Sequence, residues 1–525
     1  LAQAPTWEWV KAQRGLTWEV AADDEGNSYA LISLHDEDDL LGHPGTFSGA
    51  YFVKLNPSGQ PLWIKQFHNC AIGKLVFARG SLYAAGEGWG QFTIGEWTQE
   101  EDTLSPTYFV AKLNLDGITE WMFTARSSSN IQTGDICVNA SEEVFIAGSG
   151  YGEVRVDGDT VLYQPGNAQA YFWKLSPAGS LEWIRAGGCS VSGKTRAKGA
   201  AFDRSGNFYA TGYTGADPAW CDNTPFGPLS IPVEAGFFLV KLRNDGDFEW
   251  VRWAEGLYST DLDCMSDSLL IVCGAAYDSV AFEGQAWFTT GSGDVSAFLG
   301  AFTMIGEPAW SAFSQGGPAH AYRLAVDSTS IWAAVDCDGP FQWGQGIQLD
   351  TANYTMILNV TPQGNSTWLA HVNTGFGESC YIESTGFALG GDGVAYVSGY
   401  ILIQNQIGCT LDWQSGSFSI PAEVDSYWTY FIGRLNSDVV GIADNAREHG
   451  TWAYPNPCDH SFRLDIDSAH ASHVRIWTTD GRLVRNHRPY PGGGIVHTED
   501  LQSGYYLVEV RSDGTRTTLP LLVQH

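Results

Sequence analysis

Tyr51-Phe52-Val53-Lys54-Leu55-Asn56-Pro57-Ser58-Gly59-Gln60-Pro61-Leu62-Trp63 runs from aromatic residues through Lys-Leu into a polar turn that closes on Gly, with Trp four residues beyond. The same order returns at Phe109-Val110-Ala111-Lys112-Leu113 with Gly117 and Trp121, and at Tyr171-Phe172-Trp173-Lys174-Leu175 with Gly179 and Trp183. A fourth copy holds Phe238, Lys241, Leu242, Gly246 and Trp250. Two further copies keep the frame alone: Phe298, Gly306 and Trp310, then Ile357, Gly364 and Trp368. The offset from Gly to Trp is four residues in all six. Chance does not hold such a register, and a fixed period of this length is the mark of a repeat architecture.

Between these copies lies a second unit, a strand, a short polar turn and an aromatic strand ending in small residues. It is found at residues 21–30, 75–86, 138–148, 201–212, 262–274, 324–335 and 387–399. Gly26-Asn27 and Gly206-Asn207 supply the positive φ that tight hairpins require. The two ends of the repeat region complement each other. Trp9, within Trp7-Glu8-Trp9-Val10-Lys11, has no Lys-Leu strand before it, whereas Tyr430-Phe431-Ile432-Gly433-Arg434-Leu435 has Ala443 where Trp is due. The first strand is therefore expected to complete the last sheet. Seven sheets of about four strands closed in this way predict an all-β chain whose residues 1–436 form a seven-bladed β-propeller. The Trp-to-Trp spacings of 54 to 67 residues leave room for extended loops. The repeats resemble the bacterial SBBP-type β-propeller family over residues 5–436, a resemblance that implies a fold and says little about a ligand.

The 525 residues carry 28 Lys+Arg against 59 Asp+Glu, a net charge of −31, with 44% hydrophobic and 13% aromatic residues. That apolar content excludes a disordered acidic chain. The acidity argues against nucleic acid as a partner, because nothing could neutralise a phosphate backbone. No apolar run reaches the roughly 18 residues of a transmembrane helix. The opening Leu1-Ala2-Gln3-Ala4-Pro5 reads as the end of a signal-peptide cleavage region, so a mature exported protein is expected. Ten Cys without a Cys-x-x-Cys pair fit an oxidising compartment, with nine before residue 441 and Cys458 after it.

Beyond Leu435 the composition changes. Residues 437–453 read as a linker, and from Arg447 onward there are eight Arg, no Lys and nine Asp+Glu, with seven of the twelve His. Such a shift marks a domain boundary. Alternation at Phe462–Ile466, Val474–Trp477, Arg482–Val484 and Tyr505–Val510 predicts a small β-sandwich, of Ig-like type, over 454–525. Tyr454-Pro455-Asn456-Pro457 opens this module, Asp480-Gly481-Arg482 sits midway, and Leu501-Gln502-Ser503-Gly504-Tyr505-Tyr506 precedes a final strand holding Leu519 and Val523. The motifs and their order resemble the type A C-terminal sorting domain of the type IX secretion system of Bacteroidota. The resemblance implies passage through the outer membrane, recognition by the translocon and a shuttle β-barrel, and often removal by a sortase with attachment to surface lipopolysaccharide. Pro520 stands in the final strand, where it would interrupt pairing unless that strand is an edge.

Motifs that could carry chemistry have plainer readings beside them. Gly188-Cys189-Ser190-Val191-Ser192-Gly193-Lys194-Thr195 matches the P-loop pattern, but that chemistry needs a following helix, and a strand hairpin follows. His35-Asp36-Glu37-Asp38-Asp39 and Glu100-Glu101-Asp102 could attract Ca²⁺ but lack the spacing of a calcium loop, so solvated loop charge is expected and no cofactor is assigned. His35, His43, His68, His320 and His371 share no spacing with a nucleophile, and no carboxylate pair stands out. Lys54, Lys112, Lys174 and Lys241 hold one strand register, which predicts structural support. The register Trp residues are expected in blade cores. Trp89, Trp97, Trp220, Trp343, Trp413 and Trp428 lie off-register and are candidates for stacking on sugar rings. Asp102-Thr103-Leu104, Asp159-Thr160-Val161 and Asp278-Ser279-Val280 resemble the short O-glycosylation motif of Bacteroidota. The expected function is a non-catalytic binding or adhesion module, secreted or on the cell surface, for a glycan or surface protein. The alternatives are a propeller enzyme acting on polysaccharide and a structural component of the surface layer.

Overall fold

The structure is a computed structural model. It describes residues 6–41, 43–99, 107–128, 131–157, 159–188, 194–215, 223–232, 236–265, 268–291, 294–327, 329–344, 347–349, 353–374, 380–391, 393–403, 409–413, 416–420 and 428–436. Beyond these it describes 452–454, 461–465, 471–478, 482–487, 495–498, 501–502, 504–512 and 515–523. Every regular element among the described residues is a β-strand. The chain divides into two compact units, one spanning Ala4–Ser437 and the other containing Asp438–His525.

The larger unit is built from four-stranded antiparallel meanders, and one repeat makes one meander. The first pairs Leu16–Ala22, Ser28–Leu40, His43–Leu55 and the first half of Pro61–Ala78. The fourth pairs Thr195–Phe202, Phe208–Thr214, Phe237–Leu242 and the first half of Phe248–Met265. Among the described residues seven meanders follow one another, and the seventh takes its fourth strand from the other end of the chain. Thr6–Arg14 pairs with Trp428–Asn436, with Thr6 opposite Asn436 and Arg14 opposite Thr429. No sheet closes on itself through backbone pairing among the described residues. Instead the first strands of the meanders lie side by side in order, and that of the seventh, Cys380–Leu389, lies beside that of the first.

The repeated Gly and Trp meet between meanders. The turn Gly59, Gly117, Gly179, Gly246, Gly306 and Gly364 all have φ between 70° and 85°. A Cβ at each would stand within 3.0 Å of the preceding repeat's indole, that of Trp9, Trp63, Trp121, Trp183, Trp250 and Trp310 in turn. Only Gly tolerates both the backbone conformation and the contact. Several indoles also donate to the same turn of the next repeat: Trp63 Nε1 to Leu115 O at 3.2 Å, Trp183 to Asn244 O at 2.9 Å and Trp310 to Pro362 O at 2.8 Å. Trp183 is buried in the core, and Trp63, Trp121, Trp250 and Trp310 are half-buried against it, so the register indoles pack on the core and also form the joint with the next repeat.

A second joint accounts for the long repeat spacing. Each meander carries an extra hairpin between its second and third strands, and the hairpin reaches back to the fourth strand of the preceding meander. Backbone pairs record this at His68 with Thr93, Ser127 with Val154, Gly187 with Phe226, Ala254 with Phe282, Ser314 with Trp343 and Val372 with Trp413. At the first meander the Leu41 N–H donates to Gln13 Oε1 at 2.8 Å. The hairpins bury Leu40, Phe92, Val154, Phe226, Phe341 and Trp343 in the seams. Such covering blunts the outer edge strands, whose open N–H and C=O groups would otherwise template pairing with another chain.

The smaller unit holds seven strands among its described residues. Trp452–Tyr454, Ser461–Asp465 and Ile495–His497 form one sheet, and Leu483–His487, Ala471–Thr478, Gly504–Ser512 and Thr515–Val523 form the other. Val474, Ile476, Tyr506, Val508, Leu521 and Val523 of the larger sheet pack with Val496 of the smaller one. Pro520 lies opposite Leu507 on the outermost strand of its sheet, the kind of strand in which proline is tolerated.

The Gly-Trp joint predicts a graded response to alanine. Gly80, with φ of 74° and nothing near its Cβ position, isolates the backbone strain. Gly80→Ala should cost about 1–2 kcal/mol, whereas Gly179→Ala adds a 2.6 Å contact with Trp121 and should cost about 2–5 kcal/mol. Equal losses in denaturant unfolding would refute the steric role of the indole.

Candidate functional site

All seven first strands line one cavity of about 360 Å³. Each strand bulges at the same point, after Thr17, Ile72, Thr133, Ala197, Ser259, Ala321 and Ser384. An extra residue at a bulge re-aims the side chains around it. The residues that follow the bulges are Glu19, Lys74, Asp135, Gly199, Asp261, Arg323 and Gly386. They meet as a ring of charges interrupted by two glycines.

Lys74 Nζ lies 3.5 Å from Glu19 and 3.4 Å from Asp135, and Arg323 lies 3.7 Å from Glu19. The Arg323 Nε–H also donates to Thr385 O at 2.9 Å. Asp135 accepts the Ala200 N–H at 2.9 Å, and Asp261 accepts the N–H groups of Leu262 and Leu324 at 3.0 and 2.9 Å. At the two remaining places the neighbouring strand comes too close for a side chain. A Cβ on Gly199 would stand 2.4 Å from the Leu262 nitrogen, and one on Gly386 would stand 2.6 Å from the Val20 nitrogen. Each contact joins one first strand to the next, and Gly386 against Val20 joins the seventh to the first.

Two residues beyond the ring, Asp263 accepts the N–H groups of Cys264 and Val326 at 2.7 and 3.1 Å, with no cation paired to it among the described residues. Burial pushes its carboxyl up to about 7. Burial, with the Asp135 charge, likewise raises Asp261 to about 7 against the pull of Lys74 and Arg323. The carboxylates that converge here are thus held by cations or backbone N–H groups. The ring acts as a latch between strands, because buried charges are tolerated only when paired and hydrogen-bonded.

The register lysines are bound in a common way. Lys54, Lys112, Lys174 and Lys241 each sit 5.1–5.8 Å above the ring centre of the cross-strand Tyr29, Tyr83, Phe145 or Tyr209. Each also meets a carboxylate: Asp23 at 3.8 Å, Glu142 at 2.8 Å, Glu143 at 2.6 Å and Glu249 at 3.0 Å. Arg434 takes the same place over Tyr396 and pairs with Glu8.

Of the off-register tryptophans, Trp89 and Trp97 are exposed. Trp343 is buried in the seam between the fifth and sixth meanders, which corrects its candidacy as a ligand residue. Trp428 packs edge-on against Tyr400 with centroids 4.7 Å apart. Trp220 and the side chain of Trp413 lie outside the described residues. The P-loop pattern runs into the strand Thr195–Phe202 rather than a helix, with 189–193 outside the described residues. Residues 100–106 also lie outside them, as do the side chains of 35–39. The described residues contain no group of three or more His, Cys, Asp or Glu placed to hold a metal ion.

In the smaller unit, Tyr454 ends its strand, Arg482 is exposed before Leu483–His487, and Leu501 is buried in the core. Gly504 and Tyr505 begin the strand that pairs with Thr515–Val523, placing Gly504 opposite Val523 and Val508 opposite Leu519. Pro455, Asn456, Pro457, Asp480 and Gly481 lie outside the described residues.

Residues 452–524 match the Secretion system C-terminal sorting domain. The chain is therefore cargo of the type IX system, exported through the outer membrane to the cell surface or extracellular space. No curated protein matches the chain. Among solved structures it is similar to the extracellular domain of a hybrid two component system of B. thetaiotaomicron, at 7% identity over 100% of both chains with a TM-score of 0.17. It is also similar to a eukaryotic initiation factor, at 10% identity over 68% of this chain and 87% of the other, TM-score 0.29. A third likeness is to the full extracellular region of plexin A4, at 8% identity over 99% of this chain and 62% of the other, TM-score 0.27.

Two predictions follow from the ring. Lys74→Met leaves Glu19 and Asp135 without their shared cation and should cost about 3–5 kcal/mol; an unchanged unfolding midpoint would remove the latch role. Asp261 and Asp263 ionise near 7 in the folded chain against the ordinary 3.8. The folded state therefore holds extra protons between those values, and the stability they contribute is lost as pH rises through 7. The melting temperature should fall from pH 5 to pH 8, and fall less in Asp263→Asn.

Proposed function

We infer that residues 1–436 form a seven-bladed β-propeller of SBBP-like repeats that works as a non-catalytic binding or adhesion module outside the cell. The C-terminal module, read as a small Ig-like sandwich over 454–525, is the signal that the type IX translocon and its shuttle β-barrel recognise. A sortase then removes it. The match of residues 452–524 to the sorting domain carries the reading. The propeller reading draws support from the meander order and from the first strand pairing into the last sheet. The absence of catalysis draws support from the ring, whose carboxylates are engaged by Lys74, Arg323 and backbone N–H groups rather than presented to a substrate.

The ligand is sought on the loop surface, where a broad aromatic face serves binding and a funnel of free carboxylates would serve hydrolysis. Intact mass of the protein recovered from the surface and medium of its native cells tests the route. Loss of the module after the 437–453 linker is expected, and a chain lacking 452–525 should stay in the periplasm. Surface delivery of that shortened chain would overturn the sorting role. Release of new reducing ends from any polysaccharide by the purified full chain would overturn the non-catalytic role.

A further inference from the structure

Cations are scarce in this chain, and most described ones are paired. Arg196 and Lys198, on the first strand of the fourth meander, form no ion pair or hydrogen bond among the described residues, and Arg196 Nε is buried without a partner. Lys198 is the bulged residue itself, between Ala197 and Gly199. The charges that act on it are Arg196, Arg323 and Lys74, all positive, and burial together with them lowers it to about 8. A chain of net charge −31 thus keeps two cations without a partner among the described residues, beside two others. That arrangement is unfavourable for the folded chain alone, since unpaired buried charge costs free energy.

Beside Arg196, whose charge acts on Lys198, lies an aromatic face. Arg196 is directly opposite Tyr213 across the strand pair, so their side chains share a face. The Tyr213 ring centre is 5.4 Å from that of Tyr258, at 49°, and the Tyr258 centre is 5.4 Å from that of Tyr277, at 68°. Tyr258 and Tyr277 are 38% and 43% exposed. The three hydroxyls make no hydrogen bond among the described residues. The cluster is rigidly placed across the joint of the fourth and fifth meanders. Thr211 Oγ1 donates to Ser259 Oγ at 2.8 Å, and Ser259 Oγ donates to Gly212 O at 3.0 Å. Angled, water-facing tyrosines with open hydroxyls suit the alternating apolar faces and hydroxyls of a sugar chain, and fixed rings lose little entropy on binding. Unpaired Arg and Lys suit a carboxylate, which a planar guanidinium can grip through two hydrogen bonds.

We propose that Tyr213, Tyr258 and Tyr277 with Arg196 and Lys198 form a binding site for an acidic glycan, a saccharide chain whose rings carry carboxylates. The tyrosines stack on the sugar rings, and the two cations hold a carboxylate. The site deepens the binding role proposed above and rests on it.

The test uses the full chain on an array of acidic and neutral oligosaccharides, with oligogalacturonate and its methyl ester as a charged and uncharged pair. Acidic glycans should bind, and esterification should weaken binding at least tenfold. Arg196→Gln/Lys198→Gln should lose at least tenfold for the acidic glycan with an unchanged melting profile, and Tyr258→Ala should lose a similar factor. Tyr258→Phe, which keeps the ring, separates stacking from folding damage by retaining most of the affinity. Affinity should also fall from pH 7 to pH 9 as Lys198 loses its proton. Equal binding of the ester and the acid, or no acidic glycan bound above the neutral set, would overturn the proposal. A protein ligand at another face would then leave the binding role intact, whereas cleavage of the bound chain would overturn the binding role itself.

Discussion

The contact between one repeat's indole and the next repeat's turn glycine governs the geometry of the larger unit. A meander has two faces and cannot bury both alone, so its stability depends on its neighbours. The Trp-to-Gly contact sets how closely and at what angle two successive meanders meet, because the left-handed turn admits no side chain and the indole fills the space left. The extra hairpins then seal the outer edge of each joint, and the ring of charges seals the inner edge. Six successive joints among the described residues therefore combine a Trp-Gly contact with a hairpin outside it. The strand Thr6–Arg14, far from its partner in sequence, pairs with Trp428–Asn436 and carries Trp9 to the same position against Gly59.

The Gly and Trp of the joint were legible as a repeated register because the same residue types recur at the same spacing, but their meeting across repeats was not, since it joins residues of two repeats. Lys54, Lys112, Lys174 and Lys241 were legible as supports for the same reason. The ring was not. Glu19, Lys74, Asp135, Gly199, Asp261, Arg323 and Gly386 occupy one structural position but differ in charge and size. Their complementarity exists only between neighbours in space. A bulge, which aligns them, leaves no residue pattern of its own. The hairpins were visible only as surplus length in the 54-to-67-residue spacings. Trp343 looked like a free aromatic because its partner strand, Pro308–Gly316, belongs to the preceding repeat. In the C-terminal module the legible features were turn and strand motifs. Pro520 is accommodated by an edge that topology, and not composition, determines.

Differences among the repeats are where function can reside. A repeat that only had to pack would carry the same residues at each ring position and each bulge, yet the bulged residues include Trp18, Gly73, Gly134, Lys198, Thr260 and Tyr322. Lys74 and Arg323 have carboxylates within 4 Å, which explains them by stability alone. Lys198 has none among the described residues, and packing does not explain it. Its neighbourhood also departs from the usual distribution of the chain's charge, since most of the acidic surplus lies on this same unit and a stray lysine should have found a partner there. Arg196, opposite Tyr213, departs in the same direction.

The same asymmetry bears on how such a site could work on an acidic protein. At physiological ionic strength the field of distant surface carboxylates is screened within about 8 Å, so the overall charge repels an anionic polymer only weakly at close range. Around Lys198 the charges that act are positive and partly buried, and their attraction for an anion is screened much less. Long-range repulsion discourages nonspecific adsorption to an anionic cell surface, while short-range attraction is confined to one seam between the fourth and fifth meanders. Selectivity then comes from the pairing of carboxylate with sugar ring. A simple anion lacks the ring for the tyrosines, and a neutral sugar lacks the charge that would pay for bringing Arg196 and Lys198 together.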